Sequence, residues 1–449
     1  MFKKTKSALA LGILAIVLCM GMLVGTTYAW FTDSVESGSN VITAGNLDLK
    51  VEYTLDGENW KDLDGAEDLF QNDLWEPGHT EVVALKVTNV GSLALKYSAN
   101  MGILNETIGT NKDGEDIVLS EILTVGTLVQ EANQIGEIAL QLAFQNENMY
   151  KGTTPFNANN VIISNQELLP GSAHYVIIKV DMAETVGNEA NAKDQASTPS
   201  IEFGIDVLAA QFAYEEDSFG KDYDKDTVIP TTVFNVNELK EAVTKGGKYI
   251  LGANLTIDAD TDKITVPSGV KVELDLNGKK IKATANNTGN QELFLVKGNM
   301  TVVNGALEFT AENNQGWGAM ATIFDVTAGG VLNLENVKAS VSGTDMNFIV
   351  HLNNWGSATL NVNNCDFTAT YVAIRAFNSG YDMNTVTVKN TDFHNGRMFW
   401  VHNYTSEGKD DSTLTLDIYG NNNTSDNEKP VRFGFSSSVY YDVNGNQIN

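Results

Sequence analysis

The chain of 449 residues carries 29 Lys and Arg against 57 Asp and Glu, a formal net charge of −28. That balance excludes nucleic acid and anionic membrane as partners, and it holds copies apart until a specific contact overrides their repulsion. Its two cysteines, Cys19 and Cys365, exclude a disulfide-stapled scaffold, so core area must supply the stability, and the length suffices for two domains.

Lys3, Lys4 and Lys6 precede a mostly apolar run from Ala8 to Val24 and a short stretch of small residues ending at Ala29, the pattern of a secretory signal peptide over residues 1–29. No basic stop-transfer flank follows Ala29, which argues against a retained span, and Leu18 before Cys19 argues against lipid attachment. Loss of residues 1–29, which hold three Lys and no acid, takes the charge to −31 and removes Cys19, so no intramolecular disulfide remains possible. The next segment, Trp30 to Thr43, opens with two large aromatics that a free solvated tail has little reason to carry. Trp30, Phe31 and Val35 are its candidates for burial if the segment adds as a strand to the open sheet edge of a neighbouring copy.

Residues 30–214 read as all-β. Leu47, Leu49, Val51 and Tyr53 alternate with Asp48, Lys50 and Glu52, the period of a strand with one buried face. Val83, Leu85 and Val87 repeat the pattern after Pro77-Gly78, a second Pro-Gly at Pro170-Gly171 precedes Tyr175 to Val180, and Ile201 to Phe212 supplies a closing strand. A less regular, helical insert is expected around Ser120 to Leu142. The whole predicts a β-sandwich of jelly-roll type.

The TYA/WFTDS junction, the GNLDL strand, the EPG at Glu76 to Gly78 and the NVGSLALKY run at Asn89 to Tyr97 resemble the TasA/camelysin family of Gram-positive bacteria over residues 1–214. The resemblance implies the jelly-roll fold, cleavage between Ala29 and Trp30 by a SipW-type signal peptidase, and a secreted subunit of extracellular matrix or biofilm fibres. Camelysin is described as a metalloprotease, but no HExxH occurs here and only His79 and His174 lie in the matching region. Two isolated histidines do not make a zinc site, so no catalytic, cofactor or metal residue is assigned.

An acidic linker spans residues 215–230. Asp222, Asp224 and Asp226 have the spacing of the first ligands of a calcium loop, yet Thr227 replaces the required Gly and Val233 the bidentate Glu. A solvated hinge without metal is the expectation.

Residues 231–449 begin with a capped helix, Asn235 with Glu238 three residues on, stopped at Gly246-Gly247. Then ELDLNGKKIKA, TVVNGALEFTA, LNLENVKASVS, LNVNNCDFTAT and VTVKNTDFHNG each set a strand before an Asn and another after it. Asn277, Asn304, Asn336, Asn364 and Asn390 are spaced by 27, 32, 28 and 26 residues, which means a solenoid. Asparagine tolerates a left-handed backbone and bonds to its neighbours in adjacent coils, the ladder of a right-handed parallel β-helix. YILGANLTID and ITVPSGVKVELDLNGKKI resemble the opening coils of the pectate-lyase-like β-helix superfamily.

Overlaying FDV, VHL, IRA and VHN places Asp325, His351, Arg375 and His402 in one outward column, with Trp317, Trp355, Phe377, Trp400 and Tyr404 nearby. Such groups bind sugar or form an outer face held by charges and stacked rings, and a shared fold does not confer lyase chemistry. Three readings compete. The first is a secreted fibre subunit, self-associating by N-terminal strand addition and displaying the β-helix. The second is a polysaccharide-binding surface adhesin, and the third a β-helix polysaccharide-active enzyme or a camelysin-type protease. No cofactor is expected. Extracellular matrix or cell surface is the expected location, without covalent wall anchoring since no LPxTG motif occurs.

Overall fold

The computed structural model describes residues 46–448 except 67–68, 71–74, 132–150, 157–158, 212–228, 288, 313–319, 328, 344–345, 353–356, 379–383, 404–413 and 435–437. The expected signal cut, the Trp30–Thr43 segment, most of the acidic linker, and Trp317, Trp355 and Tyr404 lie outside the described residues.

The N-terminal part is an antiparallel sandwich. Its strands are β1 (Leu49–Thr54), β2 (Thr80–Asn89), β3 (Leu95–Thr107), β4 (Leu123–Glu131), β5 (Lys151–Pro155), β6 (Asn159–Leu168), β7 (Ala173–Met182) and β8 (Ser200–Gln211). One sheet runs Lys61–Asp62, β1, β2, β7, β4, β5; the other has three strands in the order β8, β3, β6. Alternation decides the inner face: Val83, Leu85, Val87, Val176, Ile178 and Val180 meet Tyr97, Ala99, Met101 and Ile163 in one buried cluster. Both Pro-Gly turns put the glycine at positive φ, 92° at Gly78 and 74° at Gly171, as a tight turn after proline requires. The expected helical insert is confined, among the described residues, to one turn at Leu119–Ile122, and β4 starts immediately after it. Thr124, Val125, Thr127 and Val129 favour strand there.

The C-terminal part opens with helix α1 (Val236–Lys245), capped as its sequence dictates: Asn235 Oδ1 accepts the Glu238 N–H at 3.0 Å, and Gly246 stops it at φ 76°. A parallel β-solenoid of about 5 turns follows. Its first face stacks Lys271–Asp275, the leading halves of Asn299–Ala311 and Val331–Ser342, Thr359–Asn363 and Asn384–Lys389. The second stacks Lys280–Ala285, the trailing halves of those two long strands, and the starts of Asp366–Asn378 and Asp392–Asn403. The third stacks Gln291–Val296, Ala321–Val326, Asn347–Leu352, the later parts of the last two strands, and Val431–Phe433. One continuous apolar core fills the interior, with the Phe294 and Phe324 rings stacked 5.2 Å apart on neighbouring coils. After the last parallel strand the chain turns back antiparallel through Val439–Tyr441 and Gln447–Ile448.

The two parts meet at Phe234, whose ring is 2% exposed. It lies against Gly102 of β3, Gly204 of β8 and Gly252, where an added β-carbon would press into the ring or touch it. Asn235 Nδ2 donates to the Ile103 carbonyl at 2.8 Å, and Thr232 Oγ1 donates to Asp206 Oδ2 at 2.7 Å. The chain from Thr231 onward is therefore docked on the three-stranded sheet.

Candidate functional site

The corner between the first and second faces is a file of asparagines. Asn277, Asn304, Asn336, Asn364, Asn390 and Asn422 all have positive φ, between 49° and 58°, a conformation Asn tolerates better than other branched side chains. Asn336 Nδ2 donates to Asn304 Oδ1 at 3.1 Å, Asn364 Nδ2 to Asn336 Oδ1 at 2.7 Å, and Asn422 Nδ2 to Asn390 Oδ1 at 3.3 Å. The file is interrupted once, where Asn390 Nδ2 turns to Asn363 Oδ1 at 2.9 Å. The side chains are mostly exposed, so the file sets the backbone corner more than it fills a buried need.

On the third face the ladder register runs Leu295, Asp325, His351, Arg375, Trp400, Arg432. Core residues flank each member, so the column points away from the solenoid interior. His402 is not in it: Trp400 stands beside Arg375, and His402 pairs with Phe377. The overlay of VHN on IRA misses this because the register shifts between Ala369 and Val372, which displaces the later part of the strand.

The column is also not open to solvent. His351 is 3% exposed, Arg375 5% and Trp400 1%. Phe348, Val372 and Trp400 form a second apolar cluster outside the main core, with Met320, Met346 and Tyr371 against it. His351 Nδ1 lies 3.0 Å from Asp325 Oδ1. Burial, with the Arg375 charge adding to it, lowers the imidazole pKa against the pull of Asp325, so the ring is neutral at physiological pH. Nδ1 then donates to the carboxylate, which leaves Nε2 an acceptor; it has no hydrogen-bond partner among the described residues.

The Arg375 guanidinium sits 5.3 Å from the Phe348 ring centre and 5.0 Å from that of Trp400. Arg432 packs on Trp400 as well, at 4.8 Å, and Trp400 Nε1–H donates to the Gly434 carbonyl at 3.0 Å. Arg397 and Lys429 lie 5.6 and 5.0 Å from the Tyr440 ring centre. Each cation–ring contact contributes about 0.5–2 kcal/mol, more when desolvated. With both guanidinium groups on it, Trp400 offers no free ring to a sugar. The arrangement joins the last coils together, and the expectation of a glycan-facing column over His351 and Arg375 is corrected accordingly. The chain has three arginines in all, and every one lies here, a clustering visible in the sequence that the motif overlay passed over.

In the sandwich, His174 pairs across the ladder with Val87, whereas His79 adjoins Thr80, which pairs with Asp181 at the far end of the same strand. Seven ladder positions at about 3.4 Å separate them by over 20 Å, so they cannot share a metal. Among the described residues no group of three or more His, Cys, Asp or Glu is placed to hold one. These residues do not fit a metallopeptidase centre, and no hydrolytic step is derived for them. Asp222, Asp224 and Asp226 lie outside the described residues.

The fold thus defines an all-β protein in which a sandwich domain carries a parallel β-solenoid. Residues 4–203 match the model of the camelysin metallo-endopeptidase family, so the N-terminal domain is of that family. No curated protein matches the chain. Among solved structures, a catalytic-domain variant of a GH87 alpha-1,3-glucanase in complex with tetrasaccharides aligns over 88% of this chain and 99% of its own, at 9% identity and a TM-score of 0.17. A similarity that low carries no argument. Among the described residues no helix is long and apolar enough to cross a membrane. The family domain and the solenoid together fit a secreted matrix or surface protein.

Proposed function

We infer that the protein is a secreted structural subunit of extracellular matrix or biofilm fibres, and that mature chains beginning at Trp30 join head to tail by strand addition. The observation that supports this reading is the imbalance of the sandwich. Its second sheet has only three strands, and β8, twelve residues long, pairs with β3 alone among the described residues. An edge of that length is a template for another strand. The segment carrying Trp30, Phe31 and Val35 supplies a strand of matching length with apolar side chains to bury at about 1.5–3 kcal/mol each. A head-to-tail contact of this kind does not close on itself and gives a filament.

The experiment compares protein beginning at Trp30 with protein beginning at Ala44, both checked by circular dichroism, using sedimentation and electron microscopy. Fibres are expected from the first only. Fibres from the shorter form, or none from the longer across pH, salt and calcium, would reject the reading. Amino-terminal sequencing of protein recovered from the medium tests the cut itself, expected between Ala29 and Trp30.

A further inference from the structure

The three outer faces of the solenoid differ in kind. The third is sealed by the ring and guanidinium cluster. The second is laced with charge: Lys280 pairs with Glu308 at 2.5 Å, Lys338 with Asp366 at 3.2 Å, and His394 lies 3.4 and 3.5 Å from Asp366 and Asp426. The first face has neither device over its middle coils. Its outward positions there form one ladder column of Thr301, Asn333, Asn361 and Thr387 and a parallel column that includes Asn299, Thr359 and Thr385. All of these are half-buried or exposed, as a flat sheet surface leaves them. Charge enters only at the margins, with Glu273 before the column and Asp417 after it, and Glu335 at the corner.

We propose that this first face docks a neutral, extended polysaccharide of β-linked hexoses, lying along the solenoid axis. Three observations choose that occupant. The face is uncharged in a chain at −28, so an anionic polymer meets repulsion from the rest of the surface and a second copy of the chain meets it too, whereas a neutral polyol meets none. The coils repeat at about 4.8 Å, close to the length one hexose adds to an extended β-linked chain, so successive sugars meet successive Thr or Asn side chains in register. The amides are already oriented: Asn361 Nδ2 donates to Asn333 Oδ1 at 2.8 Å, and Asn333 Nδ2 to Thr301 Oγ1 at 3.1 Å. An amide has two donors and two lone pairs, so each keeps outward capacity for sugar hydroxyls while its rotamer is fixed by its neighbour.

The test is retention of the mature chain on microcrystalline cellulose and on chitin powder, with polygalacturonate beads as the charged comparison. Binding to at least one neutral polymer is expected, unchanged in about 1 M salt, where the screening length falls to about 3 Å. Thr359→Lys with Thr385→Glu puts two long side chains of opposite charge across one ladder pair, which preserves the strand pairing while covering the face; retention should fall at least tenfold. Ser340→Lys with Thr368→Glu, the equivalent pair on the second face, should leave it unchanged. Should the first pair fail to fold by circular dichroism, Asn361→Lys alone carries the same expectation. Retention on neither neutral polymer, retention on polygalacturonate only, or equal loss in both double variants would overturn the proposal. Retention is read per chain, so a failure of fibre assembly leaves this result standing.

Discussion

Phe234 occupies the space that a side chain on Gly102 would need, although 132 residues separate the two in the chain. The ring rests on β3 through the missing β-carbon of Gly102 and is closed in by Gly204 and Gly252, so three backbones from both domains approach one side chain. Coupling between sandwich and solenoid follows. Gly102→Val should force the ring out and destabilise the junction by about 1–3 kcal/mol, and Phe234→Ala should cost about 3–5 kcal/mol. Urea unfolding followed by circular dichroism is expected to show one transition in the native protein and two in either variant.

Glu238 lies at the same junction, its Oε2 accepting the Phe234 N–H at 2.7 Å and its Oε1 accepting from Asn235 Nδ2 at 2.7 Å. Burial pushes its pKa up to about 7 from 4.5 against those hydrogen bonds. The folded state therefore holds the proton more tightly than the unfolded chain. Its contribution to stability is complete below pH 4.5 and is lost as pH rises through about 7. The amount is up to about 3 kcal/mol by linkage. Glu238→Gln should flatten that part of the curve, and the difference in denaturation midpoint between native and variant protein from pH 4.5 to 8 measures it.

Asn364 sits at φ 52° with its amide bonded to Asn336. Backbone conformation and hydrogen bond make separable contributions there. Asn364→Ala should cost about 1–2 kcal/mol, chiefly because alanine is strained at positive φ. Asn364→Gly, which loses the same hydrogen bond without the strain, should cost less than half as much by thermal unfolding. Equal losses would assign the effect to the amide instead.

Arg375 and Trp400 are ladder neighbours on the third face. A double-mutant cycle with Arg375→Met and Trp400→Leu should return a coupling of about 0.5–2 kcal/mol in favour of the native pair. Additive single effects would mean that the two residues contribute only through their separate burial.

The fold was legible because its signals are local and periodic. Val83, Leu85 and Val87 declare a strand by themselves, and an Asn recurring every 26 to 32 residues declares a coil. The site was not, and the reason is register. A shift between Ala369 and Val372 decides that Trp400, and not His402, meets Arg375, and no motif comparison senses a bulge. Burial of the column was hidden for a related reason. Phe348, Ile349 and Val350 are consecutive apolar residues, and the sequence does not say that Phe348 belongs to a cluster outside the main core while its two successors face inward. The Phe234 seat needs three glycines from distant segments, which nothing local announces.

The antiparallel turn-back after Val431–Phe433 bears on how such molecules grow. A parallel solenoid propagates by offering each new coil a full-width row of backbone partners. Here that row gives way to strands of three and two residues running the other way, and the opposite end is seated on the sandwich. A stack stopped at one end and docked at the other has no growing tip. In any filament built through the sandwich, the solenoid is a side branch of fixed length, and each subunit added to the filament contributes one more laterally projecting rod.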